Sequence, residues 1–453
     1  MDGLGENMDY ELDVLGQQLM RIYTQITLCF PIHDDTLYEA TIATLETGLE
    51  RLSKSFPWVA GQVVNEGAGR GDTGTFKIKY LARTPELVVK DLRNDPSLPS
   101  TDELREANFP MSVLDESIVC PVGTRPKDLH VWPVFVLQAT YVRRGLLLSF
   151  VTQHQAMDMT GQNQLMQLLH KACHNHEFTH EELSLGNARR CNTISLLDDP
   201  SALGPDFIRK FLKPAPPKGS QQSPEQLNPQ CEWVDFKFSA ASLSSLKLVA
   251  MQSVSRDNYI STDDALSAFL WQSITRARLQ RMASVSSTTL GRTVDMRRYL
   301  QIPATYSGMA VTKMHLTYAS QKLVEEPLGS IALQLRSLID PSTLAYNTRA
   351  FATALHHTKD KATLSPSKPL DLSSDVMLSS WAKYDMYSLD FNLGLGSSES
   401  IRRPQFFPAE GLLYALPRKH DGEITVAICL RKEDMEGLKA DRQWLEYASY
   451  SKA

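Results

Sequence analysis

Apolar residues recur along this chain with two different periods, and the alternation between them sketches its elements. Leu37, Ile42, Leu45, Leu49 and Leu52 fall at roughly helical spacing after the turn-like Asp34-Asp35 pair. The pattern stops before Phe56-Pro57, which predicts an amphipathic helix with both ends marked. Val134 to Val142 and Leu146 to Gln153, separated by Arg143-Arg144-Gly145, read as two paired strands. Leu165, Met166, Leu168, Leu169, Ala172 and Cys173 form the apolar stripe of a helix beginning near Gln162. Further on, Trp233 to Phe238 alternates as a strand does and Leu243 to Met251 is helical. Ser261 to Leu279 reads as a capped helix with Leu266, Phe269, Leu270 and Ile274 on one face. Pro327 to Ile339 is a helix with proline in its first turn, and Glu423 to Leu430 a late strand. No repeat of fixed period is present.

Between these two series lies KPAPPKGSQQSPEQLNPQ, residues 213–230, too poor in apolar side chains to fold by itself. It divides the chain into an N-terminal lobe, 1–213, a linker or crossover, 214–230, and a C-terminal lobe, 231–453. Each half mixes strand and helix patterns, which predicts an α/β fold of two lobes whose sheets are covered by helices. A length of 453 residues with 42% hydrophobic composition agrees with two cores rather than one.

A net charge of −5 over this length supplies no basic field, which argues against nucleic acid and against a polybasic membrane contact. No window reaches the roughly eighteen uninterrupted apolar residues of a membrane span, and Met1 to Gly16 has no basic-then-apolar leader. A soluble cytoplasmic protein is expected. The six cysteines are far apart without a CxxC pair, so buried thiols are expected rather than disulfides or zinc knuckles.

Candidate chemistry concentrates in His154-Gln155-Ala156-Met157-Asp158, because the apolar run 146–151 places this histidine at a strand end just before a helix. That position suits a general base. The spacing alone is weak, since a chain with eleven histidines yields roughly one HxxxD by chance. A second copy, His356 to Asp360, lacks a preceding strand and reads as a solvated helix end. Gly69 to Gly74 fits GxGxxG, yet Thr75 to Tyr80 reads as a strand where a dinucleotide site requires a helix, so a hairpin loop is expected. His170, His174, His176 and His180 have metal-like spacing, but His176 falls on a different helical face and no cysteine accompanies them; no metal site is assigned. GxSxG and Walker signatures are absent.

Taken together, several segments resemble the BAHD acyltransferases, and within them the fungal trichothecene 3-O-acetyltransferase-like branch. They are Pro57 to Gly61, His154 to Asp158, Ser261 to Trp271, Val294 to Arg297, Ser379-Ser380-Trp381, and Asp390 to Gly394 in place of DFGWG. Asn392 and Leu393 depart from the family's glycine and tryptophan. The resemblance implies two chloramphenicol-acetyltransferase-like lobes, each a mixed sheet covered by helices, with a channel between them and His154 at its middle. It implies a monomeric enzyme transferring acetyl from acetyl-CoA to a hydroxyl of a small fungal secondary metabolite, a terpenoid such as a trichothecene or an indole or ergot-type alkaloid, without a metal. By position it makes His154 the general base, Trp381 and Ser379 oxyanion donors, and Asp158 a structural partner of Arg297. Ser261, Thr262 and Ser380 become candidates for coenzyme contact, with an ordinary helix cap as the competing role for Ser261 and Thr262.

Two alternatives stand beside this reading. A condensation-type transferase usually carries a histidine before the first and a glycine after the aspartate, where this chain has Gln153 and Met159. A catalytically inactive metabolite-binding protein of the same shape is the other.

Overall fold

A computed structural model describes residues 9–34, 36–81, 85–199, 209, 211–212, 230–282, 287–366 and 369–450. The first half supplies strands β1 (Asp9–Glu11), β2 (Tyr23–Pro31), β3 (Gln62–Glu66), β4 (Thr75–Lys79), β5 (Leu87–Asp91), β6 (Phe135–Val142) and β7 (Gly145–Gln153). The second supplies β8 (Cys231–Phe238), β9 (Ser287–Asp295), β10 (Val311–Ala319), β11 (Val376–Ser380), β12 (Ser400–Arg402), β13 (Leu412–Ala415) and β14 (Ile424–Arg431). Among the described residues these form a five-stranded sheet ordered β12-β2-β7-β6-β5, a six-stranded sheet ordered β10-β9-β11-β13-β14-β8, and a small sheet β1-β4-β3. Both large sheets are mixed: β5 and β6 run parallel in the first, and β11 runs parallel to β9 and β13 in the second.

β7 lies at the centre of the first sheet and all nine of its residues are buried. A strand covered on both faces reads as a continuous apolar run rather than as an alternation, and Leu146-Leu147-Leu148 is such a run. On one face, helices Leu37–Ser55 and Met159–Cys173 bring Leu45, Leu49, Leu52, Leu165 and Leu169 against Ile26, Leu148 and Phe150. Each fully buried leucine there stabilises the fold by about 1.5 to 3 kcal/mol. The second core packs Phe269 and Trp271, from helix Thr262–Arg278, against Phe236, Val426 and Trp444. The Phe269 and Trp444 rings stack 5.4 Å apart.

The chain crosses back late. Trp381, Met386, Leu389, Phe391 and Leu393 pack into the first core, and β12 pairs antiparallel with β2 on the edge of the first sheet. Second-half residues thus reach the elements that carry His154. The predicted linker 214–230 lies outside the described residues except for Gln230.

The helix expected to begin near Gln162 starts three residues earlier, at Met159, because Asp158 accepts the Gly161 N–H and caps it. After Met159 its first turn continues Thr160-Gly161-Gln162, without apolar side chains at helical spacing, so the apolar stripe did not mark it. The Gly69 to Gly74 segment joins antiparallel β3 and β4, with Gly71 and Gly74 at positive φ. It is a hairpin connection.

Candidate active site

β7 ends at Gln153, and the next residue is held by the neighbouring chain: the His154 N–H donates to the Ile22 carbonyl at 2.9 Å. Its ring Nδ1 lies 3.2 Å from the Met157 carbonyl oxygen. A carbonyl only accepts, so Nδ1 carries the hydrogen and Nε2 is left as a lone pair. The side chain is half-buried, unlike Gln153 and Gln155 on either side, which are buried. Burial pushes the imidazole pKa below its ordinary 6.5; the Met157 carbonyl and Asp158 pull it back up, and the Arg403 charge pushes it down again. The result is an uncharged imidazole at neutral pH with Nε2 able to accept a proton.

Asp158 faces elsewhere. Oδ1 accepts from Gly161 N at 2.9 Å and Arg297 Nη2 at 2.9 Å, and Oδ2 from Arg297 Nη1 at 3.0 Å and Ala310 N at 2.8 Å. Arg297 also donates to the carbonyls of Tyr306 and Gly308, each at 2.9 Å, and to Asp295 Oδ1 at 3.0 Å. Although burial works against charge on both, Arg297 stays protonated beside Asp158 and Asp295, and the Asp295 carboxyl falls to about 2 through Arg297 and Lys383. Two carboxylates and two cations thereby balance. Gly161 completes the seam: a Cβ there would stand 2.1 Å from the Ser307 carbonyl oxygen, so only glycine lets the helix start approach the 306–310 loop.

Ser379 and Ser380 end β11 and Trp381 follows. The Trp381 indole N–H donates to Ser379 Oγ at 3.0 Å, which leaves the serine's own hydrogen without an acceptor among the described residues. Ser380 Oγ donates to Asp263 Oδ1 at 2.8 Å, in the first turn of helix Thr262–Arg278. Ser261 caps that helix, accepting from Asp264 N at 3.1 Å and donating to Asp264 Oδ2 at 2.7 Å. Asp264 is in turn paired with Arg292 and Arg336. Ser261, Thr262 and Ser380 therefore converge on one helix start, with the Ser261 hydroxyl engaged in its cap.

Contacts between distant segments join these parts, and the sequence did not mark them. Tyr384, in the turn after Trp381, reaches Thr160 Oγ1 at 2.6 Å, beside the Asp158 cap, and Thr160 donates to Asp295 at 3.1 Å. Asp13 accepts from Met309 N at 2.8 Å and Tyr306 Oη at 3.2 Å, tying the N-terminal segment to the same loop. Arg403 was also missed. Its guanidinium lies over Phe406 at 4.2 Å and Tyr414 at 4.6 Å, it is 3% exposed, and no carboxylate lies within ion-pair distance among the described residues. Nη2 reaches Thr124 Oγ1 at 3.5 Å and Nε has no hydrogen-bond partner among the described residues. The signal available in sequence was a doubled arginine set in the apolar context Ile401, Pro404 and Phe406.

The histidine group divides. His170 and His174 converge with Asp390, whereas His180, assigned to their face, opens the separate helix His180–Gly186. Asn175, with φ of 55°, ends the preceding helix and breaks that periodicity. Asn392, in place of glycine, also has φ of 55°, a conformation asparagine tolerates better than most residues, and its side chain donates to the Cys173 carbonyl at 3.2 Å.

Two mixed sheets joined by crossing segments, with a histidine just past the end of the first sheet's central strand, match the fold of two-lobed acyltransferases. The crystal structure of vinorine synthase, 14% identical, shares this fold with a TM-score of 0.66 over 100% of this chain and 96% of that one. Closer relatives narrow the class. An O-acetyltransferase of Cryptosporiopsis sp. is 47% identical, covering 98% of each chain. A trichothecene 3-O-acetyltransferase of Fusarium sporotrichioides is 44% identical over 98% of each. The crystal structure from that species, complexed with coenzyme A and T-2, superposes with a TM-score of 0.91 over 98% of this chain and 100% of that one, at 43% identity. Residues 22–173 match the trichothecene 3-O-acetyltransferase-like N-terminal domain. The chain belongs to the trichothecene 3-O-acetyltransferase-like family of O-acetyltransferases. Among the described residues no helix is long and apolar enough to cross a membrane.

Proposed function

We propose that this enzyme transfers acetyl from acetyl-CoA to a ring hydroxyl of a secondary metabolite, a sesquiterpenoid such as a trichothecene, by direct attack. The observation that carries the reading is the His154 tautomer: Nδ1–H committed to the Met157 carbonyl and, among the described residues, Nε2 free on a half-buried ring. Nε2 takes the acceptor's hydroxyl proton as its oxygen bonds to the thioester carbon. The carbonyl π electrons move onto oxygen, where the Ser379 hydroxyl donates, polarised by the Trp381 N–H behind it. The oxyanion then collapses, the carbon–sulfur bond breaks, and the departing sulfur receives the proton from Nε2. No covalent enzyme intermediate is required.

The relatives' bound coenzyme A and acetyltransferase names support the donor. The turn where Ser261, Thr262 and Ser380 converge is the proposed coenzyme side. Thr262 is the partly exposed member whose hydroxyl has no internal partner among the described residues. Asp158 is given the structural role, holding Arg297 rather than orienting His154. Labelled acetyl-CoA offered with a panel of hydroxylated sesquiterpenoids and indole alkaloids tests the reading. Acetylated product from at least one sesquiterpenoid is expected. Tight acceptor binding with no transfer to any acceptor would instead identify a catalytically inactive binder.

A further inference from the structure

His170 and His174 are one helical turn apart at the C-terminal end of helix Met159–Cys173, so their rings lie on one face, 4.5 Å between centroids. Asp390, distant in sequence, comes to the same place: its Oδ1 is 2.6 Å from His174 Nε2 and 3.6 Å from His170 Nδ1. One ligand atom from each residue lies within 4.8 Å of the others, and all three side chains remain partly exposed. A tetrahedral ion about 2.1 Å from each donor would set the donors about 3.4 Å apart, so small side-chain shifts suffice.

We propose that His170, His174 and Asp390 form a binding site for a divalent transition cation of the zinc class. Two imidazoles and one carboxylate suit Zn2+, Co2+ or Ni2+ and do not suit Mg2+ or Ca2+, which take oxygen ligands. The ion takes the place of the hydrogen between His174 Nε2 and Asp390 Oδ1, and the neutral imidazole then carries its one hydrogen on Nδ1. On His170 the ion takes the Nδ1 lone pair, displacing the 3.2 Å contact from the Phe391 N–H. The fourth position stays open to water. Asp390 begins the turn whose Phe391 is buried against Phe150, with ring centroids 5.4 Å apart. A bound ion therefore clamps the far end of the Asp158-capped helix to the segment that crosses between the halves. Its role is in stability and not in acyl transfer.

The test titrates chelator-treated full-length protein with Zn2+ and, separately, Co2+. One equivalent should bind, Zn2+ should raise the melting temperature by about 2 °C or more, and Co2+ should give the visible absorption of a low-coordinate nitrogen–oxygen site. His174→Gln and Asp390→Asn, each with the parent's metal-free circular dichroism and melting temperature, should bind at least about tenfold more weakly. Acetyl transfer should be unchanged by chelator. No melting shift and no cobalt spectrum at about 100 μM free metal would overturn the proposal without reference to any variant. Undiminished binding by both variants would also overturn it, because the ion would then sit elsewhere.

Discussion

His154 and Asp158 are four residues apart in one motif, and the fold treats them in opposite ways. Among the described residues His154 has one ring hydrogen bond, through Nδ1, with Nε2 uncommitted and the side chain half-buried. Asp158 is 2% exposed and its two oxygens accept four hydrogen bonds, from two backbone N–H groups and a bidentate arginine. A buried carboxylate with every lone pair used is strongly held in place and has no capacity left for chemistry. A histidine with one nitrogen held and the other free has its tautomer set and its reactive side available. Under the proposed function the spacing HxxxD records a division of labour, with reactivity at one end and rigidity at the other.

Removing the reactive end should give the largest effect. In His154→Ala the rate of acetyl transfer should fall by about 10²- to 10⁴-fold while the melting temperature stays near the parent's, because among the described residues the ring makes a single internal hydrogen bond, at 3.2 Å. Single-turnover rates and calorimetry on the same preparation measure both quantities. Retention of most activity would remove His154 from the reaction.

Asp158→Asn should do the reverse. The substituted NH2 would face the Ala310 N–H and an arginine N–H, donor against donor, while Arg297 lost part of its compensating charge. Breaking a buried pair of this kind costs about 3 to 5 kcal/mol. Denaturant titration should register the loss, and in the residual folded enzyme the acid limb should move to lower pH, because Asp158 no longer raises the His154 pKa. A fully stable Asp158→Asn protein whose rate alone collapsed would reverse the comparison and make the carboxylate an orienting group.

Between these extremes sits Ser379. If its hydrogen serves the oxyanion, Ser379→Ala should lower kcat by about 100-fold, equivalent to about 2.7 kcal/mol, with little change in acceptor KM. An increase in KM with kcat intact would show the serine to be a binding group instead.

How much of this was legible in the chain follows from the range of the forces involved. Local periodicity marked the helix Leu37–Ser55, the hairpin β6–β7 and the helix Thr262–Arg278 because burial of one face imposes it residue by residue. The Asp158–Arg297 pairing came from motif resemblance, since nothing in either segment encodes a partner 139 residues away. The Thr160–Tyr384 contact and the His174–Asp390 pair depend on how crossing segments pack, and only the folded chain brings them together. The edge strand β12 was unreadable for another reason: three residues are too few to carry a period.

Arg402 and Arg403 repeat the opening contrast on a smaller scale. Arg402 donates to the carbonyls of Asn108, Phe109 and Ile401 and is satisfied, whereas Arg403, equally buried, rests on two rings with Nε unpartnered. Its charge helps hold the His154 pKa down, behind the larger contribution of burial. In Arg403→Gln that repulsion is gone, so the imidazole pKa rises and the acid limb of kcat/KM should move to higher pH, because the base must be neutral to act. Arg403→Lys keeps the charge and should restore the parent's limb even where packing losses lower the plateau. A pH profile unmoved in both variants, with activity reduced equally, would show that Arg403 acts by filling the space between Phe406 and Tyr414 and not through its field.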